Sequence, residues 1–327
     1  MRHSLTSDMM NSNSRIYVSG HRGLVGSALV RRCQAEGFTN LLVRDRAQLD
    51  LRDQAAVERL FASERPEYVF LAAGLVGGIH ANDSQPADFI RDNLLIQTNI
   101  IDAAYRHGTR KLLFLGSSCI YPKHAEQPLR EQYLLTGPLE PTNEWYAIAK
   151  LAGMKMCQAY GRQYGFNAIT VLPTNLYGPF DNFDLRTSHV FPALLRKIDT
   201  ARAVGADHVT IWGSGTPRRE FLHVDDLADA CVFLMQRYDD ERPINIGCGT
   251  DITIRELAQM LARAIGFEGR FEFDSSKPDG TPRKVLDVSR LTALGWKPRI
   301  PLETGVAITY DWFRRQLAEA APAAALA

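Results

Sequence analysis

The feature that most constrains this chain is the run Lys-Leu-Leu-Phe-Leu-Gly-Ser-Ser-Cys-Ile-Tyr at 111–121, an apolar stretch without alternation that stops at two serines and a cysteine. Such a run suits a strand covered on both faces, and in open parallel sheets ligands lie beyond the carboxyl ends of the strands. Ser117, Ser118 and Cys119 therefore stand where a ligand would sit. Comparable runs at 15–19, 40–43, 68–74 and 167–172, with helical patterns between them, predict an α/β fold on a doubly wound parallel sheet. With 327 residues the chain outgrows a single core, and shorter strand and helix packets after 209 predict a smaller C-terminal α/β domain.

The first strand runs into Gly20-His-Arg-Gly23-Leu-Val-Gly26 and then an amphipathic stretch over 27–36. Strand, glycine turn and helix in that order form a Rossmann-type phosphate site. One glycine permits the tight turn, the next lets a pyrophosphate approach the backbone, and the third lets helix and strand pack closely. An ordinary packing turn would use the same glycines, so the later elements have to support the reading. The whole turn, with Arg22, Leu24 and Val25, is assigned to a dinucleotide. So are the small residues Ala72 and Ala73 ending the third strand, and Pro173, Asn175 and Leu176 in the turn-rich segment at the same sheet edge. The second strand ends in Arg44-Asp45-Arg46, where a ribose-binding acid would usually stand. Two arginines there suit a 2′-phosphate, so NADP(H) is expected, although Asp45 would serve NAD if it turned inward.

These elements divide the chain into a disordered leader over 1–14, a dinucleotide-binding domain over 15–190 that later strands can join, a mainly substrate-binding domain over 191–318, and a tail over 319–327. A formal net charge of +1 leaves no footprint for nucleic acid. Five cysteines without a Cys-x-x-Cys pair argue against a disulfide framework and against a structural metal, which fits a reducing cytoplasm. No apolar run approaches the roughly 20 residues that span a bilayer, and the leader lacks the apolar core of a signal peptide.

Further along, Asn-Glu-Trp-Tyr146-Ala-Ile-Ala-Lys150 opens a helical stretch reaching about residue 164. Tyr146 and Lys150 are four apart and share a helix face, so the ammonium is expected to favour the ionised phenol and make it a general acid–base. Such pairs are common in helices, and the strand ending at Ser117 is what gives this one meaning. His189 precedes a helical stretch over 190–203, a position that disfavours the imidazolium.

Together Gly20-x-x-Gly-x-x-Gly26, Ser117 and Tyr146-x-x-x-Lys150 resemble the extended short-chain dehydrogenases/reductases, which act mostly on nucleotide sugars. The runs Gly-Ser-Ser-Cys-Ile-Tyr-Pro, Pro-Thr-Asn-Leu-Tyr-Gly-Pro and Trp-Gly-Ser-Gly-Thr-Pro-x-Arg-Glu-Phe-Leu-His-Val-Asp-Asp narrow the resemblance to the GDP-L-fucose synthases, over residues 15–312. The resemblance implies 3,5-epimerisation and NADPH-dependent 4-reduction of GDP-4-keto-6-deoxy-D-mannose. It gives Ser117, Tyr146 and Lys150 the reduction, and Cys119 and His189 the proton transfers as base and acid. Ser117, Ser118, Lys150 and His189 would also touch the cofactor. Lys197, Trp212, Arg219 and Asp279 would hold the GDP-sugar, and a homodimer would form through a four-helix interface contributed by 86–106 and the helix from 146. The alternatives are another NAD(P)-dependent nucleotide-sugar 4-epimerase or reductase, and a dinucleotide sensor that has kept the fold without turnover.

Overall fold

The computed structural model describes residues 10–277 and 279–324. The chain alternates strand and helix through β1 (Ile16–Ser19), α1 (Leu24–Ala35), β2 (Leu41–Leu42), α2 (Gln54–Glu64), β3 (Tyr68–Leu71), α3 (Ile79–Ser84), α4 (Pro86–Arg106), β4 (Lys111–Leu115), α5 (Glu144–Tyr164) and β5 (Ala168–Pro173). It continues through β6 (Asn175–Tyr177), α6 (Val190–Ala203), β7 (His208–Trp212), β8 (Arg218–Arg219), β9 (Phe221–His223), α7 (Val224–Arg237) and β10 (Ile244–Ile246). Then follow β11 (Ile252–Thr253), α8 (Ile254–Ile265), β12 (Arg270–Asp274), β13 (Arg283–Lys284), α9 (Ser289–Ala293) and α10 (Leu302–Ala324).

Six strands form one parallel sheet in the order β10-β5-β4-β3-β1-β2. The missing alternation in β4 has a direct cause: Leu113 and Leu115 enter the core under α1 and α7, while Leu112 and Phe114 enter the core under α2, α4 and α5. Both faces are dry, and each fully buried leucine or phenylalanine contributes about 1.5–3 kcal/mol. Lys111 opens the strand yet is buried. Its ammonium donates to the Leu234 and Met235 carbonyls at 3.2 and 2.7 Å and to Asp239 at 2.8 Å, so it caps the carboxyl end of α7. Burial still pulls the Lys111 pKa down.

The chain returns to this sheet late, because β10 pairs with β5 and α7 packs on α1. A third core, with Leu194, Ile198, Leu257, Leu261, Val306 and Phe313, joins α6, α8 and α10. Around it lie three small sheets: β11-β8-β13, β12-β7 and β6-β9.

Two end regions differ from the sequence expectation. Residues 10–14, assigned to a disordered leader, fold back on the sheet: Met10 joins the core, and the Ser12 and Asn13 carbonyls accept from Thr39 N and Asn40 Nδ2 at 3.4 and 3.2 Å. A buried thioether and two hydrogen bonds to backbone carbonyls offset the ordering cost of so short a segment. At the other end α10 runs through residues assigned to the tail. Residues 1–9 of the leader and 325–327 of the tail lie outside the described residues.

Candidate active site

At the carboxyl edge of the sheet a cavity of about 1230 Å³ runs between the main sheet and the small sheets. It is lined by every residue that the sequence assigned to cofactor, catalysis or substrate. Strand order reverses between β1 and β3, and the glycine turn sits at that switch. Gly20 has φ +73°, and a Cβ on Gly26 would stand 2.1 Å from the Gly20 carbonyl oxygen, so neither position admits a side chain. Ser19 Oγ fixes the neighbouring strand end by accepting from the amides of Ala72 and Ala73 at 3.1 and 3.2 Å. Gly23 caps α1 without a side chain, which leaves the first-turn amides facing the cavity.

The three charges after β2 separate into distinct roles. Arg44 is tied to Glu64 at 2.9 Å and to its own neighbour's carbonyl, so it is a structural group more than a free cation. Asp45 accepts from the amides of Ala47 and Gln48, both at 3.0 Å, and pairs with Arg22 at 2.7 Å. It caps its own turn. Arg46 is exposed and has no hydrogen bond or ion pair among the described residues.

Mid-cavity, Ser117 caps a single 3₁₀ turn over Ser118–Ile120, its Oγ accepting from Cys119 N at 3.2 Å. The Tyr146 phenol on α5 lines the same part of the cavity as Ser117. One turn on, Lys150 is only 4% exposed and donates to the Leu115 carbonyl at 2.9 Å, with its ammonium 5.8 Å from the Tyr146 ring centre. The expected depression of the phenol pKa does not occur here. Burial, then the nearby Cys119, raises it well above its ordinary value, against the smaller lowering from Ser117. The ammonium is spent on a strand carbonyl, and burial pushes Lys150 itself down to about 8. Asn93, which no sequence signal singled out, clasps the adjacent loop by accepting from Leu75 N at 3.1 Å and donating to Leu75 O at 2.9 Å.

Cys119 lies beside Lys284, whose Nζ stands 3.7 Å from the sulfur. His189 is the residue that caps α6, open to the cavity though protein surrounds it, and burial followed by the Lys284 charge lowers its pKa. At the far end Trp212 is 57% exposed, with the Lys197 and Lys277 ammoniums 5.4 and 5.6 Å from its ring. Arg219 is half-buried near Asp279, Cys119 and Glu140, and donates to the Arg218 carbonyl at 2.9 Å. Asp279 accepts from Ser214 N at 2.7 Å and Ser214 Oγ at 2.8 Å, which pins the Gly213 turn. Asp181, also unsuspected from sequence, lines the cavity with Oδ2 buried and unpartnered, and burial lifts its carboxyl to about 7. Glu220 is fully buried and accepts from the amides of Cys248, Gly249 and Leu286 at 2.6, 2.7 and 2.8 Å, joining the β8–β9 corner to two loops. Among the described residues no group of three or more His, Cys, Asp or Glu side chains is placed to hold a metal ion.

Residues 16–247 match the NAD dependent epimerase/dehydratase family. A relative named GDP-L-fucose synthase 1, from Arabidopsis thaliana, is 58% identical over 96% of this chain and 97% of its own. The chain belongs to this epimerase/dehydratase family, among the GDP-L-fucose synthases. Solved structures of family members agree in fold. A GDP-6-OMe-4-keto-L-xylo-heptose reductase from C. jejuni superposes with a TM-score of 0.90 at 40% identity, covering 94% of this chain and 99% of that one. A GDP-L-fucose synthetase from Naegleria fowleri bound to NADP gives 0.88 at 30% identity, over 95% and 97%.

Proposed function

We propose that this protein is a bifunctional epimerase–reductase that converts GDP-4-keto-6-deoxy-D-mannose to GDP-L-fucose. The observation that carries the reading is the single cavity that joins the glycine turn, the Ser117–Tyr146–Lys150 group, Cys119 with His189, and the Trp212–Arg219 end. The turn fits NADP(H): a Cβ would fill the cradle at Gly20 and Gly26, the first-turn amides of α1 face it, and Arg46 is unpaired among the described residues. Arg46 takes the 2′-phosphate, with Arg22 exchanging Asp45 for the same anion. When bound, NADPH supplies the hydride.

The chain's own residues do the rest. Ser117 donates to the ketone oxygen and holds it beside the phenol. Tyr146 gives its proton to that oxygen as the alkoxide forms, and its raised pKa keeps it protonated and available at neutral pH. Lys150, anchored on Leu115 O, positions the ribose side of the cofactor. Cys119 removes the proton at each carbon flanking the ketone and His189 returns one from the opposite face. A lowered His189 pKa makes its imidazolium the stronger acid. Lys197 and Arg219 take the diphosphate, Trp212 packs on the base, and Asp279, through its remaining lone pairs, meets guanine or ribose. Two copies pair through α4 and α5, where Leu95 and Tyr164 are exposed at 40% and 47%. A reducing cytoplasm is the compartment we propose for it, a reading that the five free cysteines support. NADPH absorbance followed with and without the keto sugar nucleotide tests the reading. Oxidation only with substrate supports it, binding without oxidation fits a sensor, and turnover without net oxidation fits a simple 4-epimerase.

A further inference from the structure

β13 is two residues long, and its register on β8 sets two basic pairs side by side: Arg283 opposite Arg218, and Lys284 opposite Arg219. Side chains alternate along a strand, so the two pairs serve opposite faces. Arg218 and Arg283 both bind Asp251. That face is neutralised within the protein. Arg219 and Lys284 both line the cavity. Lys284 has no carboxylate within ion-pair distance among the described residues, and its one side-chain polar partner is the Cys119 sulfur at 3.7 Å. A half-buried cation with a thiol as its partner is the surrounding that selects a thiolate.

We infer that Lys284 is the positioning residue of the proton-transfer half of the site, the counter-ion that holds Cys119 as the thiolate base. The inference rests on the reading of Cys119 as that base. In each inversion the C–H proton passes to Sγ and its electron pair moves onto the ketone oxygen as an enolate. The enolate carbon then takes a proton from the His189 imidazolium on the opposite face and the ketone re-forms. Thiol and neutral imidazole remain, and one proton moves from sulfur back to the ring through water before the next inversion. Lys284 acts on both partners with opposite effect, stabilising the thiolate and disfavouring the imidazolium, whose pKa it lowers. The charged and titratable groups around the sulfur are Tyr146 from α5, Arg219 from β8 and Lys284 from β13, with His189 beside Lys284 and Glu140 beside Arg219. Arg219 is the second cation near Cys119, but it also faces Asp279 and Glu140. Among the described residues no carboxylate pairs with Lys284.

The test is the rate of Cys119 alkylation by iodoacetamide between pH 6 and 10, read on the Cys119 peptide by mass spectrometry, in the wild type, Lys284→Met and Lys284→Arg. NADPH binding serves as the check that each variant is folded. Removing the charge that stands 3.7 Å from the sulfur withdraws its stabilisation of the thiolate, so Lys284→Met alkylates about tenfold more slowly at pH 7. Lys284→Arg restores the wild-type profile. The same profile in wild type and Lys284→Met overturns the inference. Solvent-deuterium exchange into the keto sugar keeps the two levels apart. If Cys119→Ser still exchanges, the reading of Cys119 as base fails whatever Lys284 does. If Cys119→Ser is dead but Lys284→Met alkylates and exchanges like the wild type, only the Lys284 inference fails.

Discussion

The two halves of the cavity are built by different means. The hydride half stands on regular elements: Ser117 follows the end of β4 by two residues, and Tyr146 and Lys150 share the first two turns of α5, which packs against that sheet. The proton half is assembled from pieces remote in sequence. Cys119 lies in a single 3₁₀ turn, His189 at the cap of α6, and Lys284, 165 residues from Cys119, in a two-residue strand. Reduction needs one rigid triangle around one oxygen. Epimerisation needs groups on two faces of a ring, and no one element can reach both, so the smaller sheets close over the larger one.

The difference can be broken most sharply at Tyr146. Replacing it by Phe removes the proton donor of reduction alone, so NADPH oxidation with the keto sugar falls by about 10²–10⁴-fold while deuterium exchange beside the ketone persists. Loss of exchange in parallel would mean that the halves are not separate. Gly26→Ala strikes what both halves share. A Cβ 2.1 Å from Gly20 O has to push the turn off the helix, so NADPH affinity measured by fluorescence titration falls about 100-fold, a loss of about 2.7 kcal/mol. Arg46→Ala is milder. Losing one charge-assisted contact of about 1.5–3 kcal/mol weakens NADPH by roughly tenfold or more and leaves NADH unchanged, which titration of both cofactors reads directly.

The smallest effect is expected from Asp181. Its folded carboxyl keeps its proton up to about pH 7, whereas the unfolded chain releases it near the model-peptide value of about 3.9. The folded state therefore binds more protons between those values, and this group lowers stability as pH rises through that window. Asp181→Asn should raise Tm by a few degrees at pH 8 and leave it nearly unchanged at pH 4. A Tm gain of equal size at both pH values would show that the carboxyl is not buried as described.

The same contrast decides what the sequence could disclose. The glycine turn, the Ser117 strand end and Tyr146-x-x-x-Lys150 are legible because their geometry follows from residues within one strand, turn or helix. Lys284, Asn93, Asp181 and Glu220 were not, because each acquires its meaning from a partner or a burial that only the closed fold provides. Lys284 in particular looks like one more cation after Arg283, and only the register against β8 turns it inward. Where the sequence reading misjudged the site, the cause was electrostatic: it placed Lys150 beside the phenol without seeing that the Leu115 carbonyl claims the ammonium and that burial acts on both groups. Arg44 failed as a free cation for a similar reason, since Glu64 on α2 meets it.

The central claim is that one cavity holds two separable chemistries. Solvent-deuterium incorporation at the carbons flanking the ketone, measured by mass spectrometry for Cys119→Ser with NADPH binding followed in the same preparation, tests it most directly. The account predicts that NADPH binds as in the wild type and that no deuterium enters. Incorporation at the wild-type rate in that variant would contradict it.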